Sequence, residues 1–141
     1  MQGENAARAA MHGVLPNFAT PLLARAIEAL RPEQIDDLPF GVVGLDTDGT
    51  VRVYNKAEGD QSGYAGRPAL GRAFFLDVAP CMNNGFFKGR IDQAMKKGRL
   101  DISFTFIGDF NDRHRPLEVR VQSAKNGGTW IFIDRPTLRK S

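Results

Sequence analysis

The apolar positions of this chain change their period several times, and each change marks a new element. From Thr20, the residues Leu22, Leu23, Ala26, Ile27 and Leu30 recur at helical spacing. Thr20 stands where a cap belongs and Pro21 suits a first turn, so a helix is expected from here to Pro32. The segment PEQIDDL (32–38) reads as a second short helix. At Phe40 the pattern becomes a continuous run, FGVVGL, followed by DTDG and TVRVY. Asp48-Gly49 between two β-rich segments predicts a hairpin. Residues 55–80 carry Gly59, Gly63, Gly66, Pro68, Gly71 and Pro80 but few long apolar stretches, and read as short helices and loops packed over a sheet. Helical periodicity returns from Phe86 to Lys97 (Phe87, Ile91, Ala94, Met95) and stops at Gly98. Three strand-like segments close the chain: LDISFTFIG, PLEVRVQSA and, after the turn NGG, TWIFIDR. A hairpin, then helices, then a three-stranded meander implies an α+β fold. Its antiparallel sheet has five or six strands, flanked by helices. Residues 1–19 read as an Ala-rich N-terminal arm, 20–136 as one domain with an N-terminal helical cap, and 137–141 as a tail.

Composition narrows the classes. The 141 residues suit one domain with its own core, and 42% apolar with 25% charged residues is ordinary for a globular chain. The net charge is +3, and the basic residues are scattered, with short clusters at Lys96-Lys97-Arg99, at Arg113–Arg115 and in the tail Arg135–Lys140, read as solvated surface. No nucleic-acid partner is therefore expected; a DNA-contacting domain would have to show steeply salt-dependent binding. One cysteine cannot form an intramolecular disulfide, so no oxidising compartment is indicated. The first fifteen residues contain Glu4, Arg8 and His12 where a signal peptide needs an apolar stretch, and no apolar run approaches the ~20 residues that cross a bilayer. The expectation is a cytoplasmic protein with no membrane partner. His12 and His114 are too few and too far apart to make a metal site with Cys81. No nucleophile elbow or oxyanion motif accompanies the cysteine, so no enzyme is expected. The last predicted strand lies close to the end of these residues, so no output domain is expected among them.

The elements D-x-D-G-x-V-x-x-Y-N-x-A-E at 46–58, then Gly63-Tyr64 and Gly71-Arg72, resemble the PAS sensor fold. The segments YNKAEGDQSG (54–63), GRAFF (71–75) and DVAPC (77–81) are more particular: they resemble the photoactive yellow protein family. The likeness runs from about Thr20 to Arg135. It includes the leading helix, the LPFG lead-in to the first strand and the closing WIFI strand. It implies a blue-light photoreceptor with p-coumaric acid held on Cys81 as a thioester. Tyr54, Glu58, Ser62, Tyr64, Phe74, Val78 and Phe110 are then expected to line the chromophore.

Physical chemistry agrees with that implication. Tyr54, Glu58 and Ser62 are spaced four apart, so a helix beginning after the strand sets them on one face. A buried phenolate needs donors at its oxygen, because an unpaired buried anion costs several kcal/mol. Tyr54 offers a hydroxyl, and Glu58 offers a second once burial has raised its pKa. Ser62 is expected to hold Tyr54. Pro80 restricts Ala79 and sets the approach of Cys81, whose own N–H is the family's donor to the chromophore carbonyl. The resemblance further implies trans–cis isomerisation, proton transfer from Glu58 to the phenolate, and loosening of residues 1–39 as the signal. A downstream signalling protein would read it, with the chain a monomer or a weak light-dependent dimer. The alternative is a chromophore-free PAS-like domain that binds another ligand or works as an interaction module.

The chain departs from the family in places. Tyr64 stands where an arginine covers the chromophore, and Gly108 stands where an aromatic wall is expected. The loop IGDFNDRHRP (107–116) reads as about two residues longer than in the family and lacks its methionine, with Phe110 or His114 as substitute cover. Slower dark recovery is the expectation, with a methionine placed within 112–115 altering the rate.

Overall fold

The last strand shows how the sheet is covered. In TWIFID, Ile131 and Ile133 face one side while Trp130 and Phe132 face the other, and all four are buried. A strand apolar on both faces has to be covered twice. In the computed structural model, which describes residues 15–64, 68–98, 100–109 and 112–138, the helices supply both covers.

Helix α1 spans Leu23–Glu28 and α2 spans Pro32–Asp36. Strands β1 (Gly41–Leu45) and β2 (Val51–Tyr54) form the expected hairpin, and α3 (Lys56–Ser62) follows at once. A single π-helical turn (Phe74–Val78) and a 3-10 turn (Pro80–Met82) lead to α4 (Lys88–Lys96). Strands β3 (Asp101–Asp109), β4 (Asp112–Ser123) and β5 (Thr129–Asp134) complete a five-stranded antiparallel sheet in the order β2-β1-β5-β4-β3. Strand β5 lies between β1 and β4, pairing Gly41 with Ile133 and Val119 with Ile133 on its two sides. On one face α1 and α2 bury Leu23, Ile27, Ile35, Leu38 and Phe40 against Val42 and Phe132. On the other, Phe74, Val78, Met82, Phe87 and Ile91 pack over Val43, Phe106, Leu117, Val119 and Ile131.

Two local readings are corrected. Helix α1 starts three residues later than Thr20. Thr20 precedes Pro21, which disfavours helical backbone there, and its hydroxyl instead accepts the Asn17 N–H at 2.9 Å. The chain reaches the helix through Leu22 in a left-handed conformation, φ 51°. Asp109 and residues 112–115, expected in a loop, belong to β3 and β4, with Ile107 paired to Pro116 and Asp109 to Asp112. Strand pairing satisfies those backbone groups better than an open loop would.

The N-terminal cap is tied down by side chains rather than by strand pairing. Arg120 Nη1 donates to the carbonyls of Phe18 and Thr20 at 2.6 and 2.9 Å. The Ala24 N–H donates to Gln122 Oε1 at 2.7 Å, and Trp130 Nε1 to Glu28 Oε2 at 2.9 Å. Asn55 is the second fastening. Its Oδ1 accepts from the N–H groups of Val42 and Glu58, while its Nδ2 donates to the carbonyls of Ile35 and Phe40. This buried amide thus joins α2, β1 and α3 and caps the helix carrying Glu58. Asn55→Ala strands several buried partners at once and is expected to destabilise by about 3 kcal/mol, measured by urea unfolding. A loss below about 1 kcal/mol would show that water replaces the amide.

Among the described residues, no helix is long and apolar enough to cross a membrane, and no three metal-ligating side chains come together.

Candidate functional site

The N-cap at Asn55 starts α3 immediately after β2, so Tyr54 at the strand end, Glu58 one turn in and Ser62 in the last turn share a face. Gly63, at φ 93°, then turns the chain back so that Tyr64 returns over that face. From the opposite side the π turn presents Phe74 and Val78, and Pro80 projects Cys81. Ala79, before the proline, is pushed out of helical backbone (φ −133°, ψ 63°), which breaks the chain between the two turns. Tyr54, Glu58, Ser62, Tyr64, Phe74, Val78 and Cys81, with Ala79 and Met82, line one narrow cavity of about 10 Å³. Seven of the eight residues expected at a chromophore therefore converge; the eighth, Phe110, lies outside the described residues. Cys81 also lines a recess of about 390 Å³ with Phe106, Gly108, Asp109 and Arg113. Gly108 thus opens space where an aromatic wall was expected. His114 is exposed on β4 and lines neither cavity.

Within the cavity Tyr54 is half-buried, its ring edge-on to Tyr64 at 5.9 Å between centroids. Its hydroxyl stands 3.5 Å from Ser62 Oγ, at the outer edge of hydrogen bonding, while Ser62 Oγ accepts the Tyr64 N–H at 3.1 Å. Ser62 therefore positions both tyrosines. Burial, followed by the charge of Glu58, pushes the Tyr54 pKa upward and keeps the phenol protonated. Cys81 is exposed, yet partial burial of its sulfur, and then Asp109, push the thiol pKa up from 9.0.

Glu58 differs most from its sequence-based reading. It is 2% exposed, and its carboxylate meets Arg135 in a two-pronged pair: Nη1 to Oε1 at 2.8 Å and Nη2 to Oε2 at 3.0 Å. Arg135, assigned to a solvated basic tail, is 1% exposed. Its other edge is held by Asp109, with Nε to Oδ2 at 2.6 Å and Nη2 to Oδ1 at 3.1 Å. Asp109 Oδ2 also accepts from Arg115 Nη1 at 2.9 Å. Four charges thus form a chain beneath the cavity, where a buried cation requires partners on every edge. Burial raises the Glu58 pKa, and the guanidinium of Arg135 opposes that rise without cancelling it. Gly41 on β1 makes the arrangement possible, because a Cβ there would overlap Glu58 Oε1. Sequence reasoning missed Arg135, Asp109 and Gly41. The available signal was an arginine directly after an apolar strand that cannot end in solvent on either face.

Known proteins resemble this chain in sequence and in fold. Residues 35–136 match the model of a family described as the PAS fold. The photoactive yellow protein of Rhodothalassium salexigens is 34% identical over 119 residues, covering 84% of this chain and 95% of that one. The photoactive yellow protein of Halochromatium salexigens is 30% identical over 122 residues, covering 84% and 96%. Among solved structures, the photoactive yellow protein domain of the sensor histidine kinase Ppr from Rhodospirillum centenum superposes with a TM-score of 0.70 at 33% identity, covering 79% of this chain and 99% of that one. With its five-stranded sheet, its helical covers and the elements converging on Cys81, the chain belongs to the photoactive yellow protein family and has the PAS fold.

Proposed function

We propose that the protein is a blue-light photoreceptor carrying p-coumaric acid as a thioester on Cys81. The supporting observation is the meeting of Cys81, Tyr54, Glu58 and Ser62 on one cavity wall in a member of this family. A thiol, a phenol, a buried carboxyl and a hydroxyl match the donor set that a tethered phenolate requires. The cavity as it stands, about 10 Å³, admits at most about one water, so its walls must part to seat the chromophore ring beside Tyr54 and Glu58.

When bound, the chromophore supplies blue-light absorption and a trans–cis isomerisation of its double bond. The chain handles proton and charge. Tyr54 keeps its proton and donates a hydrogen bond to the phenolate oxygen. Glu58, with its pKa raised by burial, holds a proton beside that oxygen and releases it there after illumination. Helix α3, which bears Glu58, is bound to the cap through Asn55, through Lys56 N–H on Asp36 Oδ1 at 3.0 Å, and through Gln61 Nε2 on the Pro39 carbonyl at 3.1 Å. A shift of α3 therefore reaches residues 20–39, which are attached by side-chain hydrogen bonds and packing and not by strand pairing. That loosening is the signal, read in the cytoplasm by a downstream protein.

The test is to mix the purified protein with an activated p-coumaric ester. The expected product is yellow, gains mass on Cys81 alone, bleaches in blue light and recovers in the dark. Hydrogen exchange across 20–39 rises in light in the wild type but not in Glu58→Gln. An equal rise in that variant would remove Glu58 from the mechanism. Mass on Cys81 without a light cycle would favour the second reading, a chromophore-free PAS-like module, for which the Glu58–Arg135 ion pair speaks.

A further inference from the structure

A cavity that holds an anion needs a compensating charge, and among the described residues its lining offers none. Tyr54, Ser62, Tyr64, Phe74, Val78 and Met82 are neutral, and Glu58 is an acid. Arg113 lines the adjoining recess but is exposed, so water screens it. The buried cation in contact with the cavity lining is Arg135, reached through the Glu58 carboxyl. Behind it stand Asp109 and then Arg115, whose side chain is 12% exposed and which also donates to the Gln61 carbonyl. Asp112 lies 4.0 Å from Arg115 but is exposed and adds little.

The charges of this cluster can be followed through one proton. Among the described residues, with Glu58 ionised, two arginines face two carboxylates and the cluster is neutral. With Glu58 protonated, one positive charge is in surplus. We propose that Arg135, clamped by Asp109 and supported by Arg115, is the counter-charge of the pigment site and acts through Glu58, a role that rests on the reading above. While a phenolate occupies the cavity, Glu58 keeps its proton, donates it as a hydrogen bond, and leaves the surplus charge of Arg135 to balance the anion. After illumination the Glu58 O–H bond breaks and an O–H bond forms at the phenolate oxygen, with no electrons exchanged. The Glu58 carboxylate then takes up the two-pronged pairing with Arg135 seen here. The charge is balanced before and after the transfer, so the new carboxylate is not left unpartnered. Arg135 is a positioning residue for this step.

Two measurements test the role. In pigment-free protein, urea unfolding of Arg135→Gln, Glu58→Gln and the double variant forms a cycle. Arg135→Gln is expected to raise the unfolding equilibrium constant roughly 10²–10³-fold. In the Glu58→Gln background the same change is expected to have at least a tenfold smaller effect, and additive effects would overturn the pairing. In pigmented protein held in the dark, absorbance titration reads the pigment phenol. Arg135→Gln is expected to raise its pKa by about one unit or more, and Arg135→Lys to restore part of the shift. Should Arg135→Gln fail to fold, Arg115→Gln removes the rim charge and is expected to shift the phenol in the same direction by less. Yellow protein whose titration ignores both substitutions overturns this proposal and leaves the photoreceptor reading intact. Wild-type protein that never turns yellow overturns both.

Discussion

Cys81→Ser is expected to abolish pigment attachment completely while leaving stability within about 0.5 kcal/mol of wild type. The chain has one cysteine, so no second thiol can take over, and a serine hydroxyl does not exchange with an activated ester at neutral pH. The residue is exposed, and its structural contact is backbone, the Asn84 Nδ2 donating to its carbonyl at 2.9 Å. Mass spectrometry reads the first half of the prediction and urea unfolding the second. The raised thiol pKa adds a pH dependence with a definite sign. The thiolate is the attacking form, and below the pKa its fraction grows tenfold per pH unit. Loading is therefore expected to accelerate by about tenfold per unit and to keep rising past pH 9, with no plateau near neutrality. A plateau below pH 8 would mean that a nearby cation activates the sulfur.

Gly41→Val should be the most damaging single change to the site that leaves every functional side chain in place. The first atom of any side chain at this position would overlap Glu58 Oε1 and come within 3.3 Å of Arg135 Nη1. Strand β1 is held at this point by the pairing of Gly41 with Ile133 on the central strand β5. Helix α3 is pinned at its start by Asn55. Glu58 must then leave Arg135, and separating a buried ion pair costs about 3–5 kcal/mol. Denaturant unfolding reads the loss. The dark absorbance of whatever pigmented protein forms should shift, because the carboxyl no longer faces the cavity as before. Gly85→Ala, where an added Cβ meets nothing within 4 Å, is the control and should fall within about 0.5 kcal/mol of wild type. A Gly41→Val protein as stable as the control would mean that Glu58 has an alternative seat.

The hairpin at Asp48-Gly49, helix α2, helix α4 and the three-stranded meander were legible because each is encoded locally, by turn chemistry or by a period of two or 3.6. Boundaries were harder where two local preferences compete, as at Thr20-Pro21. Asp109 and Asp112, in a polar stretch that looked like a loop, pair across two long strands. The face shared by Tyr54, Glu58 and Ser62 was legible for the same local reason, being a spacing of four along a helix started by Asn55.

Arg135 was not legible. Its neighbours in sequence, Pro136 to Lys140, look like a basic tail, and the apolar strand before it is a weak hint of burial beside them. Its partners lie 77 and 26 residues away, at Glu58 and Asp109, and only the docking of β5 between β1 and β4 brings them together. The same holds for Gly41, whose missing side chain matters only because α3 packs across it. The sequence by itself determined the elements, their order and the residue types that face the cavity, because these follow from short-range periodicity and motif. Tertiary structure alone decided which charge stands behind Glu58, because an ion pair across the sheet depends on register and packing, and neither is written in any local window of the chain.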